Sequence, residues 1–218
     1  LIGRMHRKHV SKYLSTVSIN LVPDYNGNST LKLHAFIDDS TSSSTVVSNV
    51  RKNLDIQVMS VNDPPSVTVH NTDIPSVINV GQTIGITWIT VDDIDISQNA
   101  GGTAYIDVII ECNDKSQGSF FTSITLLNHL QEAKLPVYVM DSGATSGRVH
   151  LQGVPSDLNA LFNGGFVQFM AKMADVIEIY ITVNDNGYYG HSSSGSAPVV
   201  LSDTATVALN AVASHHSA

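Results

Sequence analysis

The chain repeats itself in outline, and that recurrence limits its fold more than any other feature. The opening residues LIGRMHRKHVSKYLSTVSINLVPDYNGNSTLKLHAFIDD return as LQGVPSDLNALFNGGFVQFMAKMADVIEIYITVNDN. Leu1 and Gly3 match Leu151 and Gly153, and Tyr13-Leu14 fall near Leu161-Phe162. The alternating run Leu31, Leu33, Ala35, Ile37 matches Ile177, Ile179, Ile181, Val183, and each run ends in acidic turn residues. A Ser-rich stretch follows in both copies, residues 40–45 and 191–197. Each copy then closes with an alternating strand: Leu54, Ile56, Val58 in the first and Ala205, Val207, Leu209 in the second. Alternation with period two puts every second side chain on one sheet face, so both copies read as strands with one apolar side.

Between the copies lies VNDPPSV, Val61 to Val67. Pro64 and Pro65 fix φ and remove backbone donors, so this segment is a stiff extended linker and not a central strand. The boundary is placed at Pro64: residues 64–213 form a complete unit, 1–63 match only its C-terminal portion, and 214–218 are a tail. Counterparts of residues 64–150 are missing from the first copy. A half sandwich leaves an apolar face uncovered and strand edges unpaired. Three readings follow. A neighbouring subunit supplies the missing strands by strand addition, residues 1–63 form an unusual small fold, or the chain is a piece of a longer protein. It opens with neither an initiator Met nor a secretory leader, so a processed product or fragment is expected.

Hydrophobic residues make up 42% and charged residues only 14%, against a usual charged share of about 25%. Such a chain is too apolar and too weakly charged to stay disordered. Val, Ile, Ser, Thr and Asn dominate while Glu and Lys are scarce, which favours an all-β fold. In the second unit strands are expected near 66–70, 76–80, 83–91, 103–111, 120–127, 136–140, 146–151, 166–170, 176–183 and 199–211. PSDLNALF, residues 155–162, reads as a helical turn capped by Ser156.

The formal charge is −8, unevenly placed. Residues 1–12 hold Arg4, Arg7, Lys8 and Lys12 and no acid, whereas residues 13–218 carry seven basic and nineteen acidic groups, a formal −12. The basic end either reflects a solvated surface or meets an acidic surface of a neighbouring copy. Four basic residues on an acidic chain do not make a nucleic-acid footprint. Cys112 stands alone, so no intrachain disulfide forms, and a buried thiol is expected. No apolar run approaches the ~18 residues of a membrane span.

The linker VNDPP, the pattern GQTIGITWITVDDID, the L-x-G followed by LNAL, and the closing ITVNDNGYYG resemble cadherin-like tandem repeats. The resemblance covers the second unit almost throughout and the first from Leu1 to Asp63. It implies Greek-key, immunoglobulin-like β-sandwiches stacked end to end in extracellular adhesins or fibrous surface proteins, often with calcium at the junctions. The first unit departs from it, with IDDS in place of VNDNG and its first half absent.

Calcium takes six to eight oxygen ligands from irregular loops. Asp92, Asp93 and Asp95 follow a strand, Asn62 and Asp63 lie in the linker, and Asn184, Asp185 and Asn186 form the late loop. These residue types suit calcium, and they equally suit Asx turns that bond their own backbone. Asn28-Ser29-Thr30 is an N-glycosylation sequon, placed in the turn DYNGNST. The Ser/Thr runs read as flexible loops. The nine histidines form no HExxH or Cys/His cluster and read as surface or strand-filling residues. No nucleophile elbow, P-loop or dinucleotide fingerprint is present. The sequence therefore points to a non-enzymatic structural subunit of an extracellular filament, assembling head to tail as a homo-oligomer or fibre. The alternative is a calcium-dependent adhesion module that binds ligands through its loops.

Overall fold

A computed structural model describes residues 17–22, 25, 27–37, 48–59, 61–98, 104–123, 137–141, 147–187 and 199–214. The basic segment 1–12, the Ser-rich stretches 40–45 and 191–197, and His215-His216 lie outside the described residues. Contacts divide the chain into two compact units, Leu1–Ser60 and Val61–Ala218. The fold is all-β.

The first unit, where described, is an antiparallel ribbon of β1 (Gly27–Ile37) and β2 (Ser48–Val58). Its register pairs Leu31 with Leu54 and Ala35 with Val50 on one face, and Lys32 with Asn53 and His34 with Arg51 on the other. The ribbon is thus two-sided, as its alternation requires. Among the described residues, Leu33, Val50 and Leu54 of its apolar side are 39%, 58% and 52% exposed, and Leu31, Ile56 and Val58 are half-buried.

The second unit is a β-sandwich. Its strands are β3 (Ser66–Val69), β4 (Ile78–Asn79), β5 (Thr83–Gly85), β6 (Ile89–Asp92), β7 (Ile106–Cys112), β8 (Gly118–Thr122), β9 (Tyr138–Asp141), β10 (Arg148–Gly153), β11 (Val167–Ala171), β12 (Val176–Asn184) and β13 (Ser202–Val212). The helices are α1 (Ile94–Gln98) and α2 (Pro155–Asn163), with a 3-10 turn at Asn71–Asp73. Six strands form one sheet in the order β4-β13-β12-β7-β10-β9, beside a sheet β5-β11-β8 and the pair β3-β6. Strand β12 alternates as expected, and Ile177, Ile179, Ile181 and Val183 are fully buried. They join a single core with Trp88, Phe120 and Phe169, none of them exposed, and the two Phe rings lie 5.0 Å apart.

Two local expectations need correction. The run 83–91, expected as one strand, is two, because β5 pairs with β11 while β6 pairs with β3, and the alternation shifts phase at Trp88-Ile89. The chain changes sheets at Ile86–Trp88. A Cβ on Gly85 would lie 3.1 Å from Gly165 Cα, so the absent side chain lets the two backbones approach at that crossing. The second correction concerns Ser156. The cap of α2 is Val154, with no side-chain hydrogen bond, and Pro155 opens the helix, where a missing N–H is of no consequence. Helix α2 turns Leu158, Leu161 and Phe162 into the core. On that helix Asn159 takes a hydrogen bond from Val91 N–H and donates one to Val91 C=O, both 2.8 Å, acting as a strand partner for β6.

Candidate cation site

The acidic residues singled out in the sequence gather at the linker end of the second unit. Asp93 follows β6 and caps the short helix α1: its Oδ1 accepts from Asp95 N–H at 3.0 Å and Ile96 N–H at 3.2 Å. This is the usual geometry of an aspartate at a helix start. Asp92 remains on the exposed side of the bend, with its Oδ1 accepting from Asp93 N–H at 2.9 Å. Asp95 turns back to the linker, and its Oδ2 accepts from Asp63 N–H at 2.7 Å.

Asp185 comes from the other side of the sequence, after β12. It is fully buried, and its Oδ1 accepts from Gly187 N–H and Leu201 N–H, each at 2.8 Å. Asn184 Oδ1 accepts from Asn186 N–H at 2.7 Å. Asn186 and Gly187 are both left-handed, with φ of 57° and 68°, and Asn and Gly are the residues that tolerate this conformation. The N-D-N-G run therefore makes a tight turn in which Asn186 N–H is held by Asn184 and Gly187 N–H by the Asp185 carboxylate. Asn62 completes the arrangement, donating from Nδ2 to Asp185 Oδ2 at 2.5 Å and to Val199 C=O at 2.9 Å.

Among the described residues, two oxygens in this region are buried without a hydrogen-bond partner, Asp93 Oδ2 and Asn62 Oδ1. Asp93 is 2% exposed. Its carboxyl is pushed up to about 6, chiefly by burial, with the negative charges of Asp95 and Asp185 adding to the effect against two backbone hydrogen bonds. An ionised carboxylate so placed is unfavourable without a compensating cation.

Tested as a site for a hard cation, these residues fit in donor type, since the open atoms are all oxygen. They fit less well in number. Among the described residues, no three His, Cys, Asp or Glu side chains stand together as a metal-holding group. Asp185 in particular has both oxygens committed to hydrogen bonds. It and Asn184 act as the Asx-turn residues that their sequence equally allowed.

Comparison with known proteins adds little. No protein-family model matches the chain, and no curated protein matches it. Among solved structures, similarity is found to a cohesin module from a Clostridium perfringens ATCC13124 family 33 glycoside hydrolase, at 8% identity and TM-score 0.31, covering 71% of this chain and 98% of that one. So weak a likeness carries no argument about function.

The remaining sequence candidates fall elsewhere. Asn28 is not in a turn; it is the second residue of β1, exposed, and on the same side of the ribbon as Lys32 and His34. Its backbone C=O accepts from Tyr25 O–H at 3.2 Å, and the ladder that begins here extends β1 to include the sequon. Cys112 is buried, with its thiol pushed up to about 11 chiefly by that burial, which leaves it a packing residue with little thiolate character. His150 sits on β10 with Nε2 3.4 Å from Asp107 Oδ1. Sequence reading did not single out Asn159. An Asn inside a helix, where its propensity is poor, was the available signal.

Proposed function

We propose that this chain is a non-catalytic structural segment of an extracellular β-sandwich array, whose first sandwich is completed by strands from a neighbouring polypeptide segment. One contrast carries the reading. β1 and β2 match β12 and β13 in order, antiparallel pairing and alternation. Ile177, Ile179 and Ile181 are fully buried, whereas the matching Leu31, Leu33 and Ala35 belong to a ribbon that buries none of them. A two-stranded ribbon with an apolar side is marginal in water until something covers it. Hydrogen exchange on the intact chain, with sedimentation over a wide concentration range, tests this. Fast exchange along β1 and β2 in the dilute monomer is expected. Protection gained with assembly assigns the covering strands to a second copy; a monomer that exchanges fast at every concentration assigns them to another segment. Ribbon amides protected in the dilute monomer as strongly as those of β12 would end the proposal.

A second reading, compatible with the first, is that calcium is held at the linker end of the second unit, as in a cation-dependent adhesion module. The unpartnered Asp93 Oδ2 and Asn62 Oδ1 support it. Asp93, Asp95 and Asn62 would hold the ion, with water completing its shell. Its role would be to neutralise buried carboxylates and stiffen the linker that Asp63 and Asn62 tie down.

A further inference from the structure

The outward side of the ribbon carries a charge pattern that the structural role leaves unused. From β1 it presents Asn28, Thr30, Lys32 and His34, and from β2 Gln57, Asp55, Asn53 and Arg51 directly opposite. Asp55 accepts a hydrogen bond from Thr30 at 3.0 Å and so lies toward the Asn28 end. Toward the other end Lys32, His34, Arg51 and Asn53 of this side line a shallow concavity of about 570 Å³, together with Lys52, whose position opposite Leu33 belongs to the other side of the ribbon. Lys32, Arg51 and Lys52 form no ion pair among the described residues. Like charges gathered on neighbouring ladder positions destabilise a ribbon, and an anion laid across them removes that repulsion.

We propose that this concavity binds an anionic polysaccharide, sulfated or carboxylated, along the polar side of the ribbon. Lys32 and Arg51 offer only hydrogen-bond donors, beside the imidazole of His34 and the amide of Asn53, with the guanidinium fork of Arg51 suited to bidentate contact with sulfate or carboxylate. The eight ladder residues from 28 to 34 and 51 to 57 on this side include no apolar side chain. A protein partner would want an apolar centre to its interface, and an extended hydrophilic polyanion does not. The second unit, with four basic and fifteen acidic residues and a formal −11, repels such a polymer. Binding by the whole chain thus reports on the first unit, which carries seven basic and four acidic residues.

The test is calorimetry on the intact chain at low salt, with dextran sulfate and polygalacturonate as probes and neutral dextran and poly-glutamate as controls. One or both anionic polysaccharides should bind, more weakly as salt rises, and the pair distinguishes sulfate from carboxylate as the preferred group. Lys32→Gln combined with Arg51→Gln should lower the affinity at least about tenfold, since charge-assisted hydrogen bonds are lost. Lys32→Arg with Arg51→Lys keeps the charge and should retain binding. Replacing Arg4, Arg7, Lys8 and Lys12 with Gln should change it less than the ribbon pair does. The proposal is overturned if neither polysaccharide binds, or if the Gln pair binds like the parent chain. Equal affinity for poly-glutamate would overturn it too, pointing to an acidic protein surface.

Discussion

Asn62 and Asp185 stand 123 residues apart in the chain and share a hydrogen bond of 2.5 Å from Nδ2 to Oδ2. With Asp63 N–H donating to Asp95 at 2.7 Å, this bond fixes residues 62 and 63 onto the end of the second unit's sandwich. The carboxylate at its centre, Asp185, gathers three donors from three separate segments.

Asp185→Ala should therefore be severe. It strands Gly187 N–H and Leu201 N–H in a buried site and takes one of two acceptors from Asn62. Each buried donor left unmade costs about 1–3 kcal/mol, so a loss of about 3 kcal/mol or more is expected by urea unfolding. A loss under about 1 kcal/mol would show that the turn holds without its carboxylate.

The Asp93 carboxyl gives stability an unusual pH dependence. Its folded value, about 6, lies above the ordinary 3.8, so the folded state binds its proton more tightly than the unfolded one. That contribution is complete below about pH 4 and is lost as pH rises through about 6, amounting to about 3 kcal/mol at most. In chelator, thermal melts should run higher at pH 5 than at pH 7.5. Asp93→Asn should flatten the difference, and a parent chain that melts higher at pH 7.5 would contradict the burial argument.

Calcium should act in the opposite pH range. At pH 7.5 millimolar calcium should raise the melting temperature over chelator, with a gain of about 2.7 kcal/mol at a hundredfold excess over Kd. At pH 5 the gain should shrink because protons compete for Asp93. Coincident melts with calcium and chelator at pH 7.5 would remove the ion from the account.

The matched strands of the two units should respond differently to the same kind of change. Ile179→Ala opens a cavity in a fully buried site and should cost about 2–5 kcal/mol. Leu33→Ala, at a residue 39% exposed, should alter the isolated chain by no more than about 0.5 kcal/mol. Comparable losses at both positions, read from urea midpoints, would mean that the ribbon is already covered.

Much of this architecture was legible because it is local. Strand alternation is a property of the backbone, so Ile177 through Val183 declared a buried face, and Leu31 through Ile37 its counterpart, without any knowledge of partners. The Asn186-Gly187 turn and the stiff Pro64-Pro65 linker follow equally from single-residue preferences for φ.

What tertiary structure alone decided is where each polar group finds its partner and which apolar face is covered. The run 83–91 alternates from Ile84 to Trp88 and shifts phase at Trp88-Ile89, and only the pairing partners show that the chain changes sheets there, with Gly85 close to Gly165 at the crossing. Asp92, Asp93, Asp95 and Asp185 are the same residue in the sequence. In the fold one lies on the exposed side of a bend, one caps a helix with an oxygen to spare, one receives the linker, and one staples a turn. Those roles depend on donors brought from distant segments and on burial from water, and neither is encoded within the few residues that flank an aspartate.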